Sequence, residues 1–101
     1  MQVVVSSKHM TVSQTVKLHA EQKAGKLTRY YDRIQEIEVI VDAAEKGEHT
    51  VEVIVIVEHK SSFVAKDKGA DAYTCINNCV NKLERQLTDH KEHLRNRKHP
   101  E

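Results

Sequence analysis

Two stretches in the middle of the chain alternate with a period of two, and that pattern leaves few folds open. Ile37, Val39 and Val41 alternate with Glu36, Glu38 and Ile40; Val51, Val53, Val55 and Val57 alternate with Glu52, Ile54 and Ile56. Such a period belongs to a strand with one face turned to a core, and β-branched side chains suit the pleat. Between the two runs, Ala43 to His49 (AAEKGEH) has the glycine and polarity of a hairpin loop. Gln2 to Ser6, with Val3, Val4 and Val5, reads as a further short strand. Ser62 to Lys66 pairs best as one more antiparallel strand, and Lys66 to Ala70 reads as the connection out of the sheet.

Helical spacing flanks these strands. Thr11 or Ser13 offers an N-cap, after which Val12, Val16, Ala20, Ala24, Leu27 and Tyr31 recur at intervals of three and four. The other faces of this first helix carry Lys17, Lys23, Lys26, Arg29 and Arg33. Gly25 sits inside the pattern at a cost of about 1 kcal/mol relative to alanine, and close packing against a neighbouring element is the simplest reason for it. Asp71 is the N-cap of a longer final helix, whose stripe runs Ala72, Ile76, Val80, Leu83, Leu87 and Leu94, with His90 filling the gap. Its other sides show Lys82, Arg85 and Gln86, then Lys91, Arg95, Arg97 and Lys98.

The order β-α-β-β-β-α predicts an α+β fold, a two-layer sandwich with a four-stranded mixed sheet. Strands two to four form an antiparallel meander, and the helical crossover makes the first strand parallel to the second and right-handed. Each helix has one apolar side and the sheet one apolar face, so both helices cover that face. A chain of 101 residues suits a single domain, residues 1–101, that buries roughly 60–70 % of its unfolded surface, with about residues 96–101 expected as a flexible tail.

Charge adds the partner class. The formal net charge of +1 hides a sorting by segment: Ile34 to Glu58 holds seven acids and one base, whereas the remainder holds fifteen bases and eight acids. Acidic strands and basic helices make the molecule an electrostatic dipole, whose helical side can neutralise a polyanion. Other functions find less support. No apolar run approaches the roughly 18 residues of a membrane span. MQVVVSSKHM lacks a basic start and carries three consecutive valines, so it does not read as a signal peptide. Two cysteines without such a signal point to a reducing compartment, the cytoplasm by default.

Cys75 and Cys79 stand at i, i+4, but no residue completes a metal site and His90 lies about 16 Å further along the helix. They are expected as buried small apolar residues, with His90 partly buried and His93 solvated. Tyr31 is expected in the core, Tyr30 is freer to stack on a base, and Tyr73 suits either role. Three glycines form no phosphate loop and the histidines no nucleophile–base pattern, so no enzyme, cofactor or small-molecule substrate is expected.

The last helix, DAYTCINNCVNKLERQL (Asp71 to Leu87), resembles the signature helix of the ribosome hibernation promoting factor and ribosome-associated inhibitor A family. SSKHM near the start, KLTRYYDRI (Lys26 to Ile34) at the end of the first helix and QLTDHKEHL at the C-terminus extend the resemblance over essentially the whole chain. The family's fold is similar to the double-stranded RNA-binding domain with an added strand. The resemblance implies binding to the small ribosomal subunit and its ribosomal RNA, in the channel between head and body where messenger RNA and the A- and P-site transfer RNAs otherwise lie. Steric occlusion of that channel stops translation. Short hibernation-type members also favour pairing of ribosomes into inactive dimers, and the absence of an acidic tail makes this chain more similar to that type than to the inhibitor type.

Carried over residue by residue, the resemblance assigns ribosomal RNA contacts to Lys23, Lys26, Arg33, Lys82, Arg85, Gln86 and Lys91, with Asp89 departing from a lysine common in hibernation-type relatives. The free protein is expected as a monomer. Two alternatives stand beside this reading: a protein-interaction module that presents the acidic sheet face, and a general binder of structured RNA.

Overall fold

The computed structural model describes residues 2–58 and 61–97, with side chains to residue 93. The elements are β1 (Gln2–Ser6), α1 (Gln14–Gly25), a 3-10 turn (Lys26–Arg29), β2 (Ile34–Ala43), a short 3-10 turn (Glu45–Gly47), β3 (His49–Val57), β4 (Ser62–Gly69) and α2 (Ala72–Arg97). The sheet order is β1-β2-β3-β4, with β1 parallel to β2 and the other pairs antiparallel. This is the four-stranded mixed sheet with two helices that the sequence implied.

Register decides which residues face the helices. Ile37, Val39 and Val41 lie opposite Val55, Val53 and Val51, and Val53 lies opposite Ala65 on β4; all of them are buried. α2 closes that core with Ile76, Cys79, Leu83 and Leu87, and α1 with the small Ala20 and Ala24. Each large aliphatic side chain buried in this way contributes about 1.5–3 kcal/mol. The intervening positions, Glu36, Glu38, Ile40, Glu52, Ile54 and Ile56, look out from the open face of the sheet.

Three local expectations are corrected. First, the α-helix ends at Gly25 rather than running on to Arg33; the chain tightens into the 3-10 turn and then enters β2. The Thr28 hydroxyl donates to the Gly25 carbonyl at 2.9 Å, satisfying an acceptor that the interrupted helix leaves open. Second, close packing does not explain Gly25: a Cβ there would meet nothing within 4 Å, and its φ of −59° is ordinary helix. Third, β4 runs to Gly69 rather than Lys66, because backbone pairing with β3 continues from Glu52↔Lys66 to His49↔Gly69. The hairpin loop between β2 and β3 forms where expected, with Lys46 and Gly47 at positive φ.

The caps are where the sequence puts them. The Ser13 hydroxyl accepts from the Val16 amide at 3.2 Å. The Asp71 carboxylate accepts from the Tyr73 amide at 3.0 Å and the Thr74 hydroxyl at 2.7 Å. Leu94, Arg95, Arg97 and Lys98, which the sequence placed on the stripe and in a trailing basic region, fall outside the described side chains.

Candidate nucleic-acid interface

α1 and α2 run side by side in the same direction. Tyr73 donates its hydroxyl to Thr15 at 2.9 Å, and one turn further His19 Nε2 lies 2.9 Å from Asn77 Oδ1. The His19 and Tyr73 rings meet edge to face at 5.0 Å. Beyond them, Lys23 and Lys26 share a groove of about 290 Å³ with Asn77, Asn81 and Glu84 of α2. These contacts seat α1 against α2 and bring Lys23 of α1 and Lys26 of the 3-10 turn beside the α2 surface.

The outer surface continues past the end of α1. Tyr30, Glu84, Arg85, Thr88 and Asp89 line one shallow depression, and Arg29, Tyr30, Thr88, Lys91 and Glu92 line the next. The structure therefore brings Lys23, Lys26, Arg85 and Lys91 together on one side, and adds Arg29 and Tyr30 to them. Arg29 was legible as a base off the apolar stripe, and Tyr30 as the tyrosine beside it.

The other three predicted residues lie elsewhere. The Lys82 ammonium donates to the Lys66 carbonyl at 2.9 Å, and Gln86 Nε2 donates to the Val64 carbonyl at 3.1 Å. One turn before Lys82, Asn78 donates to the Asp67 carboxylate at 2.8 Å. This row, spaced by four residues, lies along the β4 flank of α2 and covers carbonyls that an edge strand would otherwise present for pairing. Lys26 and Lys82 thus share the helical layer but occupy opposite flanks of α2. Arg33 lies at the start of β2, 3.7 Å from the Glu58 carboxylate, and is not part of the helical surface.

The electrostatics are more mixed than segment charges suggest. From Gln14 to Arg29 and from Ala72 to His93 there are seven bases and four acids, the acids being Glu21, Glu84, Asp89 and Glu92. The open sheet face is partly neutralised: Lys66 lies 3.7 Å from Glu52, and Lys68 lies 3.9 Å from Glu48. Among the described residues no cation pairs with Glu36 or Glu38, which form its acidic pole. The hydrogen bond between them, with desolvation and repulsion from Glu36 and Glu52, raises the Glu38 carboxyl above its ordinary value. Where β1 ends, the Asp42 carboxylate accepts from the Ser7 hydroxyl at 3.1 Å and the His9 amide at 2.9 Å, and so anchors the SSKHM segment.

Tyr31, Cys75 and Cys79 are buried, His90 is half-buried and His93 exposed, as the sequence implied. His90 meets Tyr31 and Phe63 edge to face, with ring centroids at 5.5 and 5.1 Å. Burial raises the thiol of Cys75 and pushes that of Cys79 up to about 12. Among the described residues no cluster of histidine, cysteine or carboxylate side chains could hold a metal, and no helix is long and apolar enough to cross a membrane.

Fold and surface together define a class: a small α+β domain with two parallel helices on one face of a mixed sheet, their outer side lined with cations. The chain belongs to the Sigma 54 modulation protein / S30EA ribosomal protein family, whose model matches residues 3–95. The ribosome hibernation promoting factor of Escherichia coli (strain K12) is 30% identical over 95 residues, covering 94% of this chain and 98% of that protein. That of Azotobacter vinelandii is 34% identical over 92 residues, covering 91% and 84%. Among solved structures, a ribosomal subunit interface protein from Coxiella burnetii matches with a TM-score of 0.81 at 23% identity, over 91% of this chain and 99% of that one. The Thermus thermophilus Protein Y N-terminal domain matches with a TM-score of 0.77 at 22% identity, over 89% and 99%. These likenesses show the fold.

Proposed function

We propose that this chain, a ribosome-associated regulator of translation, binds the small ribosomal subunit through the outer surface of α1 and α2. Ribosomal RNA is the partner in contact, and the bound domain occludes the channel of messenger RNA and of the A- and P-site transfer RNAs. It acts by position alone: an RNA backbone supplies phosphates at close spacing, and each cation that meets one releases a condensed counterion. Arg85 can grip a phosphate with two hydrogen bonds, while Lys23, Lys26 and Lys91 act as point charges. The free chain is a cytoplasmic monomer and a single domain, with no cofactor, and its arrest of ribosomes favours their inactive dimers. The parallel seating of α1 and α2, which collects Lys23, Lys26, Arg29, Arg85 and Lys91 on one surface, carries the reading. The relatives named as ribosome hibernation promoting factors support it.

Sedimentation through sucrose gradients tests it. The protein co-sediments with small subunits and intact ribosomes and is stripped by high salt. Lys26→Glu with Arg85→Glu abolishes co-sedimentation while the fold survives, because both side chains are exposed. Co-sedimentation of the double variant at the wild-type level would refute the reading.

One observation favours a second reading. On the open sheet face, Ile40, Ile54, Ile56 and the 41% exposed Val64 stand among Glu36, Glu38 and Glu52, a surface suited to a basic protein segment. Charge reversal of those glutamates that abolishes binding, with the Lys26 and Arg85 changes inert, decides for it.

A further inference from the structure

The three tyrosines differ in what engages them. Tyr31 is buried against His90, and the Tyr73 hydroxyl is bonded to Thr15. Tyr30 is 38% exposed, and among the described residues no hydrogen bond reaches its hydroxyl and no ring packs on it. It forms the ridge between two depressions of about 310 and 330 Å³, each lined by cations and carboxylates together: Arg85 with Glu84 and Asp89 on one side, Arg29 and Lys91 with Glu92 on the other.

That mixture suits one ligand chemistry better than another. A phosphate seated inside either depression, rather than at its cationic rim, would meet carboxylates that repel it and offer it no hydrogen-bond donor. A nucleobase needs a flat apolar face to stack on and acceptors for its amino and imino hydrogens, and carboxylates serve as such acceptors. The neighbouring cations then take the phosphates on either side of that base.

We propose that Tyr30 is the stacking platform for one unpaired nucleobase of the bound RNA, its amino edge read by the flanking carboxylates. The site therefore selects a looped-out or single-stranded segment rather than a continuous duplex, in which each base has its faces stacked on its neighbours and its amino edge paired. Asp89, the position that departs from the family's lysine, becomes an acceptor for the base edge. This inference rests on the RNA-binding reading above.

The test uses the full chain and purified small ribosomal subunits. Tyr30→Leu weakens binding by roughly 5- to 150-fold, the range of one lost base stack, with the slope of log affinity against log salt unchanged because no phosphate contact is removed. Tyr30→Phe, which keeps the ring, recovers most of the loss. Ultraviolet irradiation of the wild-type complex, followed by mass spectrometry, finds a nucleotide adduct on the Tyr30 peptide. Wild-type affinity in Tyr30→Leu, or a complex without the adduct, overturns the stacking site while leaving the cationic surface intact. Should Tyr30→Leu fail to fold, the adduct and the Tyr30→Phe affinity decide alone. Binding that is insensitive both to salt and to charge changes at Lys26 and Arg85 removes the RNA reading itself, and the stacking site with it.

Discussion

Replacing Lys26 and Arg85 together by glutamine probes the outer helical surface without adding the repulsion of a reversed charge. Among the described residues five cations line that surface, and the double change leaves three of them: Lys23, Arg29 and Lys91. With about 0.8 of a counterion released per neutralised phosphate, log affinity falls against log salt with a slope of about −4 for the wild type and about −2.4 for the variant. Between roughly 50 and 200 mM salt the wild type then loses about 250-fold in affinity and the variant about 30-fold. Equilibrium binding to purified small subunits across a salt series measures both slopes. An unchanged slope in the variant refutes the assignment, whatever happens to affinity at one salt concentration. Lys82→Met supplies an internal contrast. Its ammonium is turned to the Lys66 carbonyl on the β4 flank, so its removal leaves the slope near the wild-type value. A drop of one contact's worth would return Lys82 to the RNA surface that the family resemblance implied.

Gly25→Ala stabilises the protein by about 0.4–1 kcal/mol, because the backbone is already helical and the new methyl meets no neighbour; thermal melting then shifts up by about 2–8 °C. Acid unfolding follows the depressed carboxyls. The hydrogen bond from Asn78 holds Asp67 below its ordinary 3.8, and that from Thr74 does the same for Asp71. At Asp42 desolvation acts the other way, but the bonds from His9, Ser7 and Lys8 outweigh it. Ionisation of all three favours the fold, so their contribution is complete above about pH 4 and fades as pH falls through the lower folded values. Glu38, raised instead, opposes this trend. Asp42→Asn flattens the decline of stability measured by denaturant titration between about pH 4 and 2; an identical decline would exclude Asp42 as a source. Finally, Cys79, with its thiol near 12, stays unmodified by a thiol reagent at about pH 8 until the chain unfolds. Rapid labelling of the native protein would show that the core is open.

Most of the architecture was legible because strands and helices leave different periods in side-chain polarity. The valines of β3 and the leucines of α2 carry their own positions, and Ser13 and Asp71 announce their helices by cap chemistry. The break at Gly25 was not legible. Ala24, Leu27 and Tyr31 keep their three- and four-residue spacing across it, since side chains three apart also share a side of a 3-10 turn. The last third of β4 was hidden for another reason. Lys66-Asp67-Lys68-Gly69 is polar, and its strand character resides in backbone pairing with β3, which no side-chain period records.

The candidate surface divides along the same line. Sorting of acids from bases, and the membership of Lys23, Lys26, Arg85 and Lys91 in basic faces, follow from local order because each residue's face is set within its own element. Which of those faces meet is a matter of long-range packing. Only the assembled fold turns Lys82 and Gln86 towards β4, sends Arg33 to Glu58, and cancels part of the open sheet's acidity with Lys66 and Lys68. Only there does Tyr30 become a ridge between the carboxylates and cations of α2 and Arg29 of the 3-10 turn. Charge and periodicity are properties of a segment, whereas a shared surface is a property of the distances between segments, and those exist once the core has closed.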